Sequence, residues 1–267
     1  MSDAPAGRLS PDYGLDAPGV VRNLFLTGGL AFVSWAVVAL GLWSGDLVVG
    51  PIAGVEIRFQ LASMGLWSGL ALTGVGLWMI WSSRVGKIRR REWILDHVAW
   101  TGRERVLDVG CGRGLMLLGA AKRLSSGKAI GIDIWQAEDL SGNRPGAVLT
   151  NAQREEVSAR VAVGTADMRR QPFAGGTFDV VLSCVAIHNV PSAEGRAEAI
   201  TEIARVLKPG GCALIEDIRH QGEYAVAFAA NGCEEIRRLD SRVGGWIQTL
   251  ITIGSLRPAT LLVRKAA

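Results

Sequence analysis

A parallel α/β domain preceded by two membrane-length helices is the architecture that this 267-residue sequence predicts. Three observations carry it. Residues 106–114 read VLDVGCGRG, an apolar strand running into a glycine-rich turn and then a helix. Downstream, short apolar runs ending in polar residues alternate with amphipathic stretches as far as residue 264. Upstream, residues 23–45 and 59–83 contain no charged side chain at all.

Composition agrees with that division. Hydrophobic residues make up 49% of the chain, high for a wholly soluble enzyme, and the excess lies in the two uncharged runs. Of the nine tryptophans, Trp35, Trp43, Trp67, Trp78 and Trp81 fall there. The net charge of +4 is unevenly placed and says little by itself. Cys111, Cys184, Cys212 and Cys233 form no CxxC pair, so neither a disulfide framework nor a metal site is indicated.

Residues 1–22 hold Pro, Gly, Asp and Ser without apolar period and are expected to be a flexible cytoplasmic tail. Residues 23–83 are expected to form a transmembrane hairpin, with 24–43 and 61–81 as its spans, each long enough to cross about 30 Å of hydrocarbon. The acidic leader and the second span argue against a cleaved signal peptide. Arg84, Lys87, Arg89, Arg90 and Arg91 follow the second span, and Arg8 and Arg22 precede the first; the loop at 44–60 has only Arg58. The positive-inside rule therefore puts both termini and the following domain in the cytoplasm. The basic cluster is expected at lipid headgroups rather than on nucleic acid, because no aromatic-interleaved basic surface accompanies it. Gly65-x-x-x-Gly69 permits close helix approach, either within the hairpin or in a homo-oligomer. The rival readings are two buried helices of a soluble protein and a shallow re-entrant or interfacial hairpin, which the many glycines keep open.

Residues 84–267 carry the chemistry. An amphipathic helix over 88–100 leads to the strand at 106–109, where Gly110, Gly112 and Gly114 form a cradle suited to a nucleotide at a helix N-terminus. After a helix over 115–124, a strand at 129–134 ends in Asp133, about 20 residues past the glycine turn, where a carboxylate meets ribose hydroxyls. Asn143 and Pro145 are expected to start a helix as N-cap and first-turn proline. A strand at 160–164 leads to Asp167, placed to accept from an exocyclic amine, and Met168, placed over a ring. Residues 178–184 (FDVVLSC) make a buried strand, 197–207 a helix, 208–211 (KPGG) a turn, and 212–218 a further strand.

In that order, VLDVGCGRG, GIDI, GTADM, FDVVLS and ARVLKPGG resemble the class I S-adenosylmethionine-dependent methyltransferases. The resemblance covers residues 103–267. It implies a Rossmann-like seven-stranded sheet with one antiparallel strand and S-adenosylmethionine over the strand ends. By that likeness Asp108, Gly110, Cys111, Gly112 and Gly114 face the methionine moiety, and Asp133 and Ile134 the ribose. Asp167 and Met168 frame the adenine, and Ser183 and Cys184 lie beneath the sulfur. The two-span leader is similar to membrane-anchored small-molecule methyltransferases, which implies a lipophilic acceptor such as a thiol, a quinone or a lipid.

One general-base candidate stands out, His188, because imidazole takes a proton near neutral pH. Pinning its own loop is the competing role. Glu216 and Asp217 are weaker candidates, for which a cap or surface role is expected; His97 and His220 are weaker still. The apolar segment at 244–256 is either core packing or a lid over an acceptor channel. A glycine turn plus acid also suits a nicotinamide-dependent oxidoreductase, but neither Tyr13 nor Tyr224 is followed four residues later by lysine. A catalytically silent cofactor-binding scaffold is the remaining alternative.

Overall fold

The computed structural model describes residues 10–52, 55–136, 140–239 and 258–267. It divides into two compact units, one of them built mainly from Leu15–Gly86.

That unit is a helical hairpin. Helix α1 (Pro18–Ala39) and helix α2 (Leu61–Trp81) are joined by an antiparallel ribbon of β1 (Asp46–Ile52) and β2 (Val55–Gln60), in register Asp46↔Gln60 and Val48↔Arg58. Each helix would span about 30 Å at 1.5 Å per residue. α2 has the expected limits; α1 starts and ends earlier than the expected span, so Trp43 lies beyond it, and the expected loop is the ribbon. Glycines let the helices touch. A Cβ on Gly65 would lie 2.7 Å from the Ala31 carbonyl oxygen, and one on Gly69 would lie 2.8 Å from the Phe32 ring. Gly65-x-x-x-Gly69 therefore packs α2 against α1. The outer faces present Leu26, Leu30, Val33, Trp67, Leu70 and Leu77 unburied, with Leu30 71% exposed.

The second unit holds helix α3 (Lys87–Leu95) and then β3 (Arg105–Val109), α4 (Leu115–Arg123), β4 (Lys128–Asp133), α5 (Pro145–Arg154) and β5 (Val161–Thr165). It continues with β6 (Phe178–Cys184), α6 (Ala193–Val206), β7 (Leu207–Asp217), α7 (Gln221–Ala230), β8 (Cys233–Leu239) and β9 (Ala259–Lys265). The strands form one sheet in the order β5-β4-β3-β6-β7-β9-β8, and β9 alone runs antiparallel to its neighbours. β3 sits where the connections reverse direction, so a crevice opens at the carboxyl ends of β3 and β6. Alternation along β3 feeds both faces: Val106 joins the cluster with Leu117, Leu118 and Val148, whereas Leu107 and Val109 join Ile200, Ile203 and Phe228.

Several local expectations change. The leading helix stops at Leu95 instead of running to 100. Arg144, not Asn143, takes the N-cap position ahead of Pro145. The KPGG turn at 208–211 is absorbed into β7 as an irregularity: Leu207 pairs with Phe178 but Cys212 with Val180, and Gly210 absorbs the bend at φ +70°.

The N-terminal segment and the basic cluster also differ from expectation. Tyr13 is only 5% exposed; its hydroxyl donates to Glu155 and accepts from Arg91, and Lys87 donates to the Tyr13 and Gly14 carbonyls. Residues 10–14 are thus tied down, and 18–22 are helical. Arg91 is 4% exposed and Arg90 pairs with Glu216, leaving Arg84 and Arg89 as exposed members of the cluster. Expecting all five at headgroups failed because buried carboxylates distant in sequence had already claimed two of them.

Candidate active site

The glycine turn is closed by main-chain bonds. Gly110 and Cys111 N–H both donate to the Ile132 carbonyl, at 2.8 and 3.1 Å, tying β3 to β4. Gly110 has φ +72°, and a Cβ there would fall 2.4 Å from that of Ala186, so only glycine serves. Ala186 and Met168 thus both border the turn. Cys111 is buried against Gly131. Asp108 accepts from Leu117 N–H at 2.8 Å at the start of α4. Its full burial pushes its pKa up to about 7, against the pull of that N–H and with a further push from Asp133.

Asp133 closes the turn from β4. Its Oδ2 accepts from Gly112 N–H at 2.8 Å, and its Oδ1 from Trp135 N–H at 2.6 Å and the Asn143 amide at 3.2 Å. Asn143, expected as a cap, is instead turned back onto this carboxylate. Its own Oδ1 is buried and has no hydrogen-bond partner among the described residues. A ligand hydroxyl beside Asp133 would satisfy it. Glycine cradle, carboxylate and orphaned acceptor together fit an adenosine-bearing cofactor. Ile134 follows, half-exposed.

Asp167 and Met168 follow β5 as expected, but Asp167 is engaged by Arg169, with Nε at 3.0 and 3.1 Å and a terminal nitrogen at 2.6 Å. Those bonds hold its carboxyl below the usual range against a smaller opposing effect of burial. Ser183 is buried, with its hydroxyl donating to the Val109 carbonyl at 2.9 Å. It ties β6 to β3.

The tips of β6 and β7 gather groups that sequence reasoning ranked low. Cys184 Sγ lies 3.4 Å from Glu216 Oε2. Glu216 pairs with Arg90, which also reaches Thr260 at 3.3 Å. Val185, a β-branched residue, is held at φ +52° with its N–H on the Glu216 carbonyl. Beyond it His188 Nδ1 lies 2.6 Å from Oδ1 of Asp217, whose Oδ2 accepts from the His188 N–H at 3.0 Å and the Tyr224 hydroxyl at 3.1 Å. Burial first, and then Asp217, push the Tyr224 phenol upward. Glu216 and Asp217 are both buried, not at a cap or surface. The signal available in sequence was weak: two acids at the end of an apolar strand. His97 and His220 are spent locally, on the Trp93 carbonyl and on Glu223. The segment at 244–256 lies outside the described residues.

Comparison with known proteins bears on the domain and its fold. Residues 107–215 match the family model described as "Methyltransferase domain". A probable methyltransferase of Aspergillus luteorubrus is 32% identical over 45% of this chain and 41% of its own length. The ubiquinone/menaquinone biosynthesis C-methyltransferase of Dinoroseobacter shibae is 27% identical over 63% of this chain and 58% of its own. The chain thus spans about half the length of these relatives. The solved structure of geranyl diphosphate methyltransferase in complex with SAM superposes with a TM-score of 0.52, covering 67% of this chain and 85% of that one. At 19% identity that likeness is one of fold. A doubly wound seven-stranded sheet with β9 reversed, matched over residues 107–215 by the methyltransferase-domain model, identifies a class I S-adenosylmethionine-dependent methyltransferase domain in this chain.

Proposed function

We propose that the chain is a membrane-anchored enzyme that methylates a small, lipophilic acceptor such as a thiol, a quinone or a lipid-like molecule. When bound, S-adenosylmethionine supplies an electrophilic methyl group on a sulfonium. The observation that carries the reading is the Asp133 carboxylate closing the glycine turn beside the unpartnered Asn143 oxygen.

In this reading Gly110, Cys111, Gly112 and Gly114 present main chain to the methionine moiety, with Asp108 beneath. Asp133, Ile134 and Asn143 hold the ribose. Met168 covers the adenine, and Asp167 accepts from its amine once Arg169 gives way. Ser183 and Cys184 floor the crevice. His188 takes the proton that an acceptor X–H must lose. Aligning two reactants and excluding water can supply about 7–11 kcal/mol of the barrier, so the protein's main task is positioning.

The hairpin would anchor the domain at a bilayer, with both termini on the cytoplasmic side. The two apolar helices and their uncovered outer faces support this. A membrane-dissolved acceptor then reaches the domain by lateral diffusion. The relative named for ubiquinone/menaquinone biosynthesis is compatible with an acceptor of this class.

Titration calorimetry on the full chain in detergent tests the cofactor. S-adenosylmethionine should bind, NADH should not, and Asp133→Ala should weaken binding about 100-fold, the loss of two charge-assisted hydrogen bonds at roughly 1.5 kcal/mol each. Binding of NADH alone would overturn the reading. Incubation with methyl-labelled cofactor and fractionated lipid and thiol pools then identifies the acceptor.

A further inference from the structure

Between Gly112 and Gly114 stands a long side chain, Arg113, that the proposed function leaves without a task. We infer that Arg113 is a positioning residue for the cofactor's ribose, a step that rests on the reading of Asp133 and Asn143 as the ribose site and deepens it. Residues 12–14, upstream of α1, are the platform that holds Arg113 in place.

Arg113 leaves the glycine turn and reaches Asp12. Its Nε donates to the Asp12 carbonyl at 2.9 Å, and one terminal nitrogen donates to the Asp12 carboxylate at 2.7 Å. That carboxylate is 62% exposed, so the charge pair contributes little in water, and the carbonyl bond and the fixed shape of the guanidinium fork carry the hold. Asn151 of α5, 1% exposed, seals the same junction. Its amide nitrogen donates to the Asp12 and Arg113 carbonyls at 2.8 and 3.1 Å, and its oxygen accepts from Asp12 N–H at 2.9 Å. The platform also has anchors of its own. Lys87 Nζ donates to the Tyr13 carbonyl at 3.0 Å and the Gly14 carbonyl at 2.7 Å, and the buried Tyr13 hydroxyl meets Glu155 and Arg91.

On its other side the guanidinium packs against Gly142. A Cβ there would lie 3.0 Å from the second terminal nitrogen, and Gly142 stands at φ +66°, a conformation open to glycine. Gly142 immediately precedes Asn143, whose amide donates to Asp133 Oδ1. Arg113 itself immediately follows Gly112, whose N–H donates to Asp133 Oδ2. Two of the donors that orient the ribose carboxylate are therefore chain neighbours of points that Arg113 fixes. A shift of the guanidinium would move both, and the orphaned Asn143 oxygen with them.

Calorimetry on the full chain in detergent tests this, with S-adenosylhomocysteine and its 2′,3′-dideoxy analogue as probes. Arg113→Ala should weaken S-adenosylhomocysteine about tenfold while leaving the dideoxy analogue within about twofold of its wild-type affinity, because that probe has no ribose hydroxyl to misplace. Arg113→Lys keeps the charge but not the fork, and should give the same selective loss at about threefold. It serves as the test if the alanine variant does not fold. Lys87→Met loosens the platform at a distance and should also cost about threefold, but nothing further when added to Arg113→Ala. Wild-type affinity for S-adenosylhomocysteine in the Arg113 variants, or an equal loss for both probes, overturns the inference, since the side chain would then serve the fold alone. Losses that add in the double variant overturn the role of the platform. Wild-type protein that binds both probes equally would instead sink the ribose reading underneath, an outcome seen without any variant.

Discussion

The two halves of the crevice are built by different means. On the β3–β4 side the groups that meet are close in sequence or are main chain: Gly112 N–H on Asp133, Gly110 and Cys111 on the Ile132 carbonyl, Leu117 N–H on Asp108. On the β6–β7 side they are side chains from distant segments, with Arg90 reaching Glu216 and Thr260, and Tyr224 reaching Asp217. A half made from backbone geometry serves one invariant ligand. A half made from long-range side-chain pairs can be rebuilt for different acceptors without disturbing the first.

If that contrast holds, variants on the two sides should fail differently. The largest effect expected is His188→Ala, where loss of a general base lowers turnover by about 10²–10⁴-fold while calorimetric affinity for S-adenosylmethionine stays within about threefold of wild type. A parallel loss of affinity would erase the division. Next comes Glu216→Gln, which leaves the partly buried Arg90 cation without its counter-charge and should cost about 3 kcal/mol, or roughly 10 °C in thermal midpoint. Adding Arg90→Met to that variant should recover much of the loss, because removing both partners leaves no orphaned charge. No recovery in the double variant would show that the pair matters through packing alone.

The same contrast explains what could be read from the sequence. The glycine turn, Asp133, the positions of the first five sheet strands and the limits of α2 were legible because each is written in a short window of sequence, whereas the strand order was not read from it. Asn143 was assigned to a helix cap because residue type and a following proline favour that role locally. Its turn toward Asp133 needs the fold. Glu216 and Asp217 looked like surface acids because burial of two adjacent carboxylates depends on Arg90, His188 and Tyr224, none of which is nearby in the chain. The docking of Tyr13 onto Glu155 and Arg91 is a contact of the same kind.

Within the cofactor half, Asp108 gives a pH signature. Its folded pKa of about 7 lies above the unfolded value near 3.8, so the folded state holds the proton more tightly. Stability from this group is fully present below about pH 4 and is lost as pH rises toward 7, above which the loss is constant. Asp108→Asn keeps an oxygen for Leu117 N–H but cannot ionise. Its stability relative to wild type should therefore climb between pH 4 and 7, by about 4 kcal/mol at about 1.36 kcal/mol per pKa unit, and then level off, which thermal melts across that range would show. A difference that is flat with pH would show that Asp108 ionises normally in the folded protein.

The smallest effect expected is at Asn143, and it discriminates most finely. Its amide donates to Asp133 Oδ1, while its own oxygen is buried and unpartnered. An unsatisfied buried acceptor costs roughly 1–3 kcal/mol, and a ligand hydroxyl that bonds to it recovers that cost on binding. Asn143→Ala removes both the cost and the recovery, so the free protein should be as stable as wild type or slightly more so. Affinity for S-adenosylmethionine should fall about 5–10-fold, equivalent to about 1–1.4 kcal/mol. Asn143→Asp keeps the oxygen but sets a second carboxylate against Asp133; it should bind more weakly than the alanine variant at low salt, with the gap closing as salt screens the repulsion. Equal affinity in wild type and Asn143→Ala, measured by calorimetry, would mean that the orphaned oxygen meets no ligand, and the cofactor half would then consist of main chain and Asp133 alone.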